Sequence, residues 1–233
     1  MRHICKISEE QSDMTKRPMC AATPSRACRS TAGAAPTGDG TSAPYTENMS
    51  QASPGRHSLH TERLHLEILH ENHADEMFDV LQDPAIYRYM DGRPSTTEEL
   101  RQQYKRQSSN WDGRPASWHT WVIREKQTNT AIGYIQATVN HSERNAELAW
   151  VLSPLWTGKR YSSEAARRVM KELHDEGLVS AFTCTIDQRN APSRRLAESL
   201  GFVMSDPEPV DSQTWTLHVD PNAVGVAPWR NRQ

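Results

Sequence analysis

The chain has 233 residues, a formal net charge of −2 and four cysteines. A net charge this close to zero argues against a general nucleic-acid-binding protein, because such proteins carry a surplus of Lys and Arg. We expect no membrane partner, since no apolar run is long enough to span a bilayer and no secretory signal is recognisable. The cysteines form no CxxC pair, so we predict neither disulfides nor a metal site, and we expect a reducing, cytoplasmic location.

Composition divides the chain into a tail and one domain. Residues 1–60 are rich in Ser, Thr, Ala, Pro and Gly and have almost no large aliphatic residues, so they cannot bury enough apolar surface to offset chain entropy. We predict a disordered N-terminal extension there, with a targeting or partner-binding arm as the alternative. Residues 61–220 carry the apolar periodicity of a folded domain, and residues 221–233 are expected to form a C-terminal tail.

The first half of the domain is predicted to hold a strand, two helices and three further strands. Residues 63–69 alternate apolar and polar side chains, as a half-buried strand does. Helices follow at residues 74–81 and from Ser95 or Thr96 towards Trp111. Short turns then separate three antiparallel strands, at residues 118–125, 131–139 and 147–152.

The second half predicts a parallel crossover. A turn at residues 156–161 leads into a helix that stops at Gly177, and a strand follows at residues 181–186. Asn190 caps a further helix that Gly201 ends, and residues 202–204 and 214–219 close the sheet as a hairpin. The predicted fold class is α/β, with a mixed, mostly antiparallel sheet of about seven strands and about four helices.

The turn at residues 156–161 has the features of a phosphate-binding site. A helix N-terminus leaves backbone N–H groups unpaired and carries about half a positive charge, to which Lys159 and Arg160 add two more. A Walker A loop is excluded, because Ser153 and Arg160 stand where it needs Gly and Ser or Thr. A Rossmann fingerprint is excluded as well, since it needs three glycines and Gly158 stands alone.

The turn resembles the acyl-CoA pyrophosphate loop of the GNAT superfamily of N-acetyltransferases. Of that loop's pattern, Gln/Arg-x-x-Gly-x-Gly/Ala, only the central Gly158 is kept, and Leu155 and Arg160 depart from it. The flanking residues match the branch of ribosomal-protein alanine N-acetyltransferases (RimJ/RimL-like) more fully, over roughly residues 61–220. The matching positions are Glu147, Ala149, Trp150, Pro154, Trp156, Gly158, Lys159, Tyr161, Glu164 and Ala165, and further on Asn190, Ser193, Leu200, Gly201 and Phe202.

The resemblance implies a GNAT-like fold whose fourth and fifth strands are parallel and splay apart. It also implies acetyl-CoA as co-substrate, no metal, and direct attack of an amine on the thioester. A backbone N–H at Val151 or Leu152 would stabilise the oxyanion. The residues expected to bind acetyl-CoA are Val151, Leu152, Trp156, Thr157, Gly158, Lys159, Arg160, Tyr161, Ser162, Asn190 and Ser193.

Two residues are predicted to be catalytic. Glu147 is an ionisable group in an otherwise apolar strand, and burial would raise its pKa towards that of a general base. A rim carboxylate paired with an arginine is the alternative, with Glu143 and His119 as weaker candidate bases. Ser193 would donate to the departing sulfur, or it is a solvated helix-start serine. Many GNAT enzymes use a Tyr for this step, and Ala197 stands at the matching position.

The acceptor is the least defined part of the prediction. A primary amine is expected, and a peptide N-terminal α-amine or a small α-amino compound is favoured over lysine. We expect Tyr87, Trp118 and His119 to contact it, from loops at residues 87–93 and 111–118. The acidic residues that could attract a cationic acceptor are Asp91, Glu98, Glu99 and Asp112.

Two alternatives stay open at this point. One is a same-fold transferase of a longer acyl group, and the other is a catalytically silent acyl-CoA-binding or interaction module, which the departures at Arg160 and Ala197 would explain. We expect a monomer or a homodimer.

Overall fold

Eight strands form one mixed sheet in a computed structural model that describes residues 57–109, 116–205 and 212–219. In chain order the strands are β1 (Leu59–His60), β2 (Leu64–Ile68), β3 (Ala116–Glu125), β4 (Thr130–Asn140), β5 (Asn145–Leu152), β6 (Ala181–Asp187), β7 (Val203–Met204) and β8 (Ser212–His218). Their order in the sheet is β1-β2-β3-β4-β5-β6-β8-β7. Every neighbouring pair is antiparallel except β5 and β6, which confirms the predicted sheet.

The strand β1 was not predicted. Leu59 and His60 pair with Leu66 and His65 of β2, and Leu59 is fully buried. The paired part of the chain therefore begins two residues before the expected boundary at residue 61. The predictions for residues 1–56 and 221–233 lie outside the described residues, as do Trp111 and Asp112.

Four helices flank the sheet, as predicted: α1 (Ala74–Val80), α2 (Thr97–Ser108), α3 (Tyr161–Asp175) and α4 (Ala191–Leu200). Local sequence fixes several of their ends. The Thr96 hydroxyl accepts from Glu99 N–H (3.1 Å) and begins α2, and the Asn190 side chain accepts from Ser193 N–H (3.2 Å) and begins α4. Gly201 ends α4 in the left-handed conformation (φ 93°). Among the described residues, no helix has the length and apolar character needed to cross a membrane.

The helices pack on opposite faces of the sheet. On one face α1 and α2 bury Met77 and Leu100 against Val122 and Val151. On the other, α3 and α4 pack on a core that includes Trp121, which is fully buried. Because strand side chains alternate between faces, Trp121 and Val122 enter different cores although they are consecutive.

The strands β5 and β6 separate shortly after they begin. Their parallel pairing is confined to three residue pairs, of which the last is Glu147 with Thr183. Beyond Glu147 the facing backbone edges of the two strands have no partner in a ladder. A slot therefore opens between them, towards the ends from which α3 and α4 begin.

Candidate active site

A cavity of about 1250 Å³ occupies the slot between β5 and β6. It is large enough for an extended cofactor together with part of a second substrate, since typical ligand pockets measure roughly 300–1,000 Å³. All residues expected to bind acetyl-CoA line it except Trp156 and Lys159. Those that line it are Val151, Leu152, Thr157, Gly158, Arg160, Tyr161, Ser162, Asn190 and Ser193.

The turn before α3 is built from two left-handed residues. Gly158 has φ 78° and Arg160 has φ 64° and ψ 16°. The position favours glycine, because a Cβ in the left-handed region costs about 1–2 kcal/mol. Arg160 also provides no side-chain cap to α3, so its side chain does not compete for the N–H groups of the first helical turn.

The predicted phosphate-binding Lys159 points elsewhere. Its ammonium lies 4.5 Å from the centroid of the Trp156 ring, in a cation–π contact. Trp156 in turn packs against the main core and tilts against Tyr161, with ring centroids 5.9 Å apart. The two residues thus stabilise the turn from outside the cavity.

Arg63, the residue before β2, holds the same turn in place. Arg63 donates to Glu164 through Nε (2.8 Å) and Nη2 (2.6 Å), and through Nη1 to the carbonyl oxygen of Lys159 (3.1 Å). Burial alone would raise the pKa of Glu164, but hydrogen bonds from Thr61 and Arg63 outweigh it and hold that pKa low. Glu164 was recognised only as a matching position, and its role here is to fix the first turn of α3 to the sheet.

Four arginines line the cavity, of which sequence reasoning identified only Arg160. The others are Arg88 in the segment between α1 and α2, Arg167 in α3 and Arg195 in α4. Arg167 donates to the Ser163 hydroxyl and to the Ser199 carbonyl oxygen, which holds it beside the slot. No aspartate or glutamate of the described chain is among the lining residues, so the cavity suits a polyanion.

Glu147 lies at the closed end of the slot, beside the cavity rather than in its lining. It is half-buried, and its carboxylate accepts from the Thr185 hydroxyl (3.2 Å), which does line the cavity. Burial raises the pKa of Glu147, and the bond from Thr185 opposes that shift only in part. No arginine in the described ranges pairs with Glu147, so the arrangement favours a base over a paired rim carboxylate.

Ser193 and Asn190 line the cavity together at the start of α4. The side-chain oxygen of Asn190 is used by the Ser193 N–H, whereas its amide group can still donate to a ligand. Ala197, one turn further on, is fully buried in the core and outside the lining. Ser193 is therefore the hydroxyl that the start of α4 brings to the slot.

The backbone of β5 presents alternate N–H groups to the slot. Ser153 N–H donates to Ile132 of β4 (2.8 Å), and the direction of N–H groups alternates along an antiparallel pair. Val151 N–H therefore faces β4, whereas Leu152 N–H faces the slot. Of the two residues proposed for the oxyanion, Leu152 has the suitable direction.

The three residues expected to contact the acceptor do not line the cavity. Trp118 and His119 are consecutive in β3 and lie on opposite faces of the sheet. His119 is buried beside Trp121, on the face that α3 covers, and bonds to the Ser117 hydroxyl (2.7 Å), so its position does not agree with acceptor binding. Tyr87 lies outside the lining although its neighbour Arg88 belongs to it.

Of the acidic residues considered for a cationic acceptor, Asp91, Glu98 and Glu99 are described, and they are outside the lining too. Glu98 pairs with Arg101 (2.7 Å), and Glu99 accepts from Ser95 N–H (2.8 Å) at the start of α2. Asp91 is exposed, and so is the alternative base Glu143. None of them approaches the slot as Glu147 does.

A splayed parallel pair with an uncapped helix N-terminus at its open end defines the acyl-CoA-dependent acetyltransferases of the GNAT type. The family model described as "Acetyltransferase (GNAT) domain" matches residues 63–203. The chain belongs to this family, because the match covers more than half of its length. No protein with a curated description matches the chain in sequence.

Several solved structures share the fold. The RimL ribosomal L7/L12 alpha-N-protein acetyltransferase in complex with coenzyme A is 14% identical, with a TM-score of 0.64 over 71% of this chain and 99% of that one. The microcin C7 self-immunity acetyltransferase MccE, in complex with acetyl-CoA and AMP, is 14% identical, with a TM-score of 0.60 over 68% and 94%. A GNAT-family acetyltransferase from Bacillus anthracis is 20% identical, with a TM-score of 0.58 over 69% and 98%. At these identities the likeness shows the fold.

Proposed function

We propose that the protein transfers the acetyl group of acetyl-CoA to a primary amine by direct attack on the thioester. The observation that carries the proposal is the slot between β5 and β6, which brings Arg160 and the start of α3 together with Leu152, Ser193 and the Glu147–Thr185 pair. The RimL and MccE structures were determined with coenzyme A or acetyl-CoA bound, which supports acetyl-CoA as the co-substrate.

The α3 and α4 side of the slot is suited to the phosphates of the co-substrate. When bound, acetyl-CoA supplies an acetyl group already activated as a thioester. The N–H groups at the start of α3 have no cap from Arg160, and the residues Arg160, Arg167 and Arg195 line the same side. These donors hold the phosphates and leave the pantetheine arm to run between the unpaired edges of β5 and β6.

Three groups of the chain serve the reaction itself. Glu147 accepts the proton that the attacking amine loses as its nitrogen bonds to the acetyl carbon. The Leu152 N–H donates to the carbonyl oxygen while that oxygen carries negative charge. Ser193 donates its hydroxyl proton to the sulfur as the carbon–sulfur bond breaks, and it regains a proton from solvent.

A single carboxylate base can deprotonate an α-amine more easily than a lysine amine. Neutralising a lysine amine of pKa about 10.4 at pH 7 costs about 4.6 kcal/mol, whereas an α-amine of pKa about 7.7–8.0 costs about 1–1.4 kcal/mol. We therefore propose a peptide N-terminus or a small α-amino compound as the acceptor. The alpha-N-protein activity named for RimL is consistent with this choice.

Release of free thiol from acetyl-CoA, measured over a panel of amines, tests the proposal. Glu147→Gln and Ser193→Ala should each lower kcat, by about 10²-fold or more for the general base. Glu143→Gln and Ser95→Ala are the matched controls, because both side chains are exposed and outside the lining. Full turnover in both active-site variants would contradict the catalytic roles.

A silent acyl-CoA-binding module is the second candidate, favoured by one observation. The position that carries a phenolic acid in many relatives is the buried Ala197, so only Ser193 is available as a proton donor at the start of α4. Tight acetyl-CoA binding without turnover on any amine would establish this candidate. Turnover that rises with acyl length would instead identify a transferase of longer acyl groups.

A further inference from the structure

We propose that the acceptor carries an anionic group, a carboxylate or a phosphate, close to its amine, and that Arg88 binds this group. The proposal rests on the function proposed above and specifies its acceptor. Arg88 ends the short 3-10 helix Ile86–Arg88, between α1 and α2, and its segment forms one wall of the cavity.

Arg88 reaches the cavity from the side opposite to the other three arginines. Its neighbours Ile86 and Met90 pack on the core beneath α1 and α2, whereas Tyr161 and Leu196, beside Arg160 and Arg195, pack on the core beneath α3 and α4. The slot is therefore lined from both faces of the sheet. The arginines proposed to bind phosphate line it from one face, and among the described residues Arg88 is the only charged member of the lining on the other.

Glu147 lies on the same face as Arg88. Ala146 and Leu148 enter the core beneath α3, so Glu147 points to the opposite face, as does Val151, which joins the core beneath α1 and α2. An amine that loses its proton to Glu147 must approach from this face. The acceptor thus enters between a base and an arginine, and it needs an anionic group to pair with Arg88.

Arg88 has no carboxylate of its own in the described ranges. Several other arginines do have one: Arg101 pairs with Asp75, Arg124 with Glu67 and Glu76, Arg168 with Glu172, and Arg189 with Asp187. Of its acidic neighbours in sequence, Asp91 is exposed and forms no ion pair with Arg88 among the described residues, and Asp83 accepts from Ala85 N–H (2.9 Å). Arg88 is exposed and lines the cavity, so an anion bound there would be its counter-charge.

Polyamines and aminoglycosides are poor acceptors by the same argument. They carry several positive charges, and the lining offers no aspartate or glutamate of the described chain to balance them. An α-amino acid or a phosphate-bearing amine places one negative charge beside one amine. The negative charge would pair with Arg88, and the amine would lie near Glu147.

Matched acceptor pairs test the proposal on the full chain with saturating acetyl-CoA. Alanine and alaninamide differ in the carboxylate, and O-phosphoethanolamine and ethanolamine differ in the phosphate. We expect kcat/KM to be at least about tenfold higher for the anionic member of one pair, and the pair that shows it identifies the anion. Arg88→Ala should reduce this ratio to below about twofold and Arg88→Lys should keep part of it. The acetyl-CoA Kd should not change.

Arg106→Ala is the control, because Arg106 is an exposed arginine of α2 outside the lining. Equal rates within both pairs would overturn the proposal. An Arg88→Ala variant that slows both members of a pair equally, or that weakens only the binding of acetyl-CoA, would overturn it as well. If no amine turns over, the proposed function fails. The role of Arg88 is then tested separately, by measuring how tightly the same pairs bind to the complex of the protein with coenzyme A. Equal affinity within each pair would then overturn the role of Arg88.

Discussion

Arg160 combines an unfavourable backbone conformation with a favourable charge, and the two effects can be separated. Its left-handed φ of 64° costs a residue with a Cβ about 1–2 kcal/mol, whereas glycine loses about 0.4–1 kcal/mol through its freer unfolded chain. Relative to Arg160→Ala, Arg160→Gly should therefore gain roughly 0.5–1 kcal/mol of unfolding free energy, measured by urea denaturation.

The charge of Arg160 is tested by the same pair of variants. Both remove the guanidinium, so both should weaken acetyl-CoA binding severalfold and by the same factor, and the loss should shrink at high salt. An Arg160→Ala variant as stable as Arg160→Gly would contradict the backbone argument. An unchanged Kd for acetyl-CoA in both variants would show that the Arg160 side chain does not bind the phosphates.

Glu147 should impose a pH dependence on turnover. Burial raises its pKa, so the carboxylate becomes protonated, and stops acting as a base, at a higher pH than an ordinary glutamate. We expect kcat to fall as the pH is lowered through this raised pKa, and the fall should be absent from the residual rate of Glu147→Gln. Thr185→Val removes the hydrogen bond that lowers the pKa, and should move the fall to higher pH. A profile identical in wild type and Thr185→Val would contradict the assignment.

The contact between β4 and β5 depends on a glycine at the point where the slot opens. A Cβ added to Gly133 would lie 2.1 Å from the Val151 carbonyl oxygen and 2.9 Å from Leu152 Cα, and both are backbone atoms that cannot rotate away. The strand β5 would have to move, and the Leu152 N–H would move with it.

We therefore expect Gly133→Ala to cost about 1–3 kcal/mol of stability and to lower kcat for acetyl transfer. Urea denaturation and thiol release measure the two effects. Gly92→Ala is the matched control: its φ is 90° and its added Cβ meets open space, so it should lose stability without losing kcat. A Gly133→Ala variant with full kcat would contradict the role given to the β5 backbone.

At the scale of the whole molecule, sequence patterns predicted the helices and strands better than they predicted which side chains reach the cavity. Apolar periodicity and caps such as Asn190 are local, so the helices and seven of the eight strands could be recognised. The strand β1 could not, because its two residues carry no periodicity, whereas the equally short β7 is marked by the helix end at Gly201 before it. The loop at residues 87–93 was expected near the acceptor, but Arg88 was not singled out within it, because sequence alone does not show which of its side chains reach the cavity.

The difference between the predicted and observed positions of Lys159 has a local physical cause. Lys159 and Arg160 are consecutive, and sequence reasoning gave both to the phosphates. The left-handed backbone at Arg160 separates them, so that Arg160 lines the cavity while Lys159 lies over the Trp156 ring. The conformation of a single residue therefore decides which of the two basic residues lines the cavity, and residue type alone does not reveal it.

The charge distribution around the slot predicts how the folded molecule responds to ligand. A ligand that binds only the folded state at 100 times its Kd stabilises it by about 2.7 kcal/mol, which is roughly 5–10 °C in Tm for a domain of this size. Acetyl-CoA should give such a shift in differential scanning fluorimetry. Because three arginines and the start of α3 form the proposed phosphate site, the Kd should weaken as salt shortens the Debye length from about 10 Å at 0.1 M to about 3 Å at 1 M. S-acetylpantetheine has the thioester without the phosphates, so it should bind far more weakly and without salt dependence. An equal shift from both compounds would mean that the arginines are not the phosphate site.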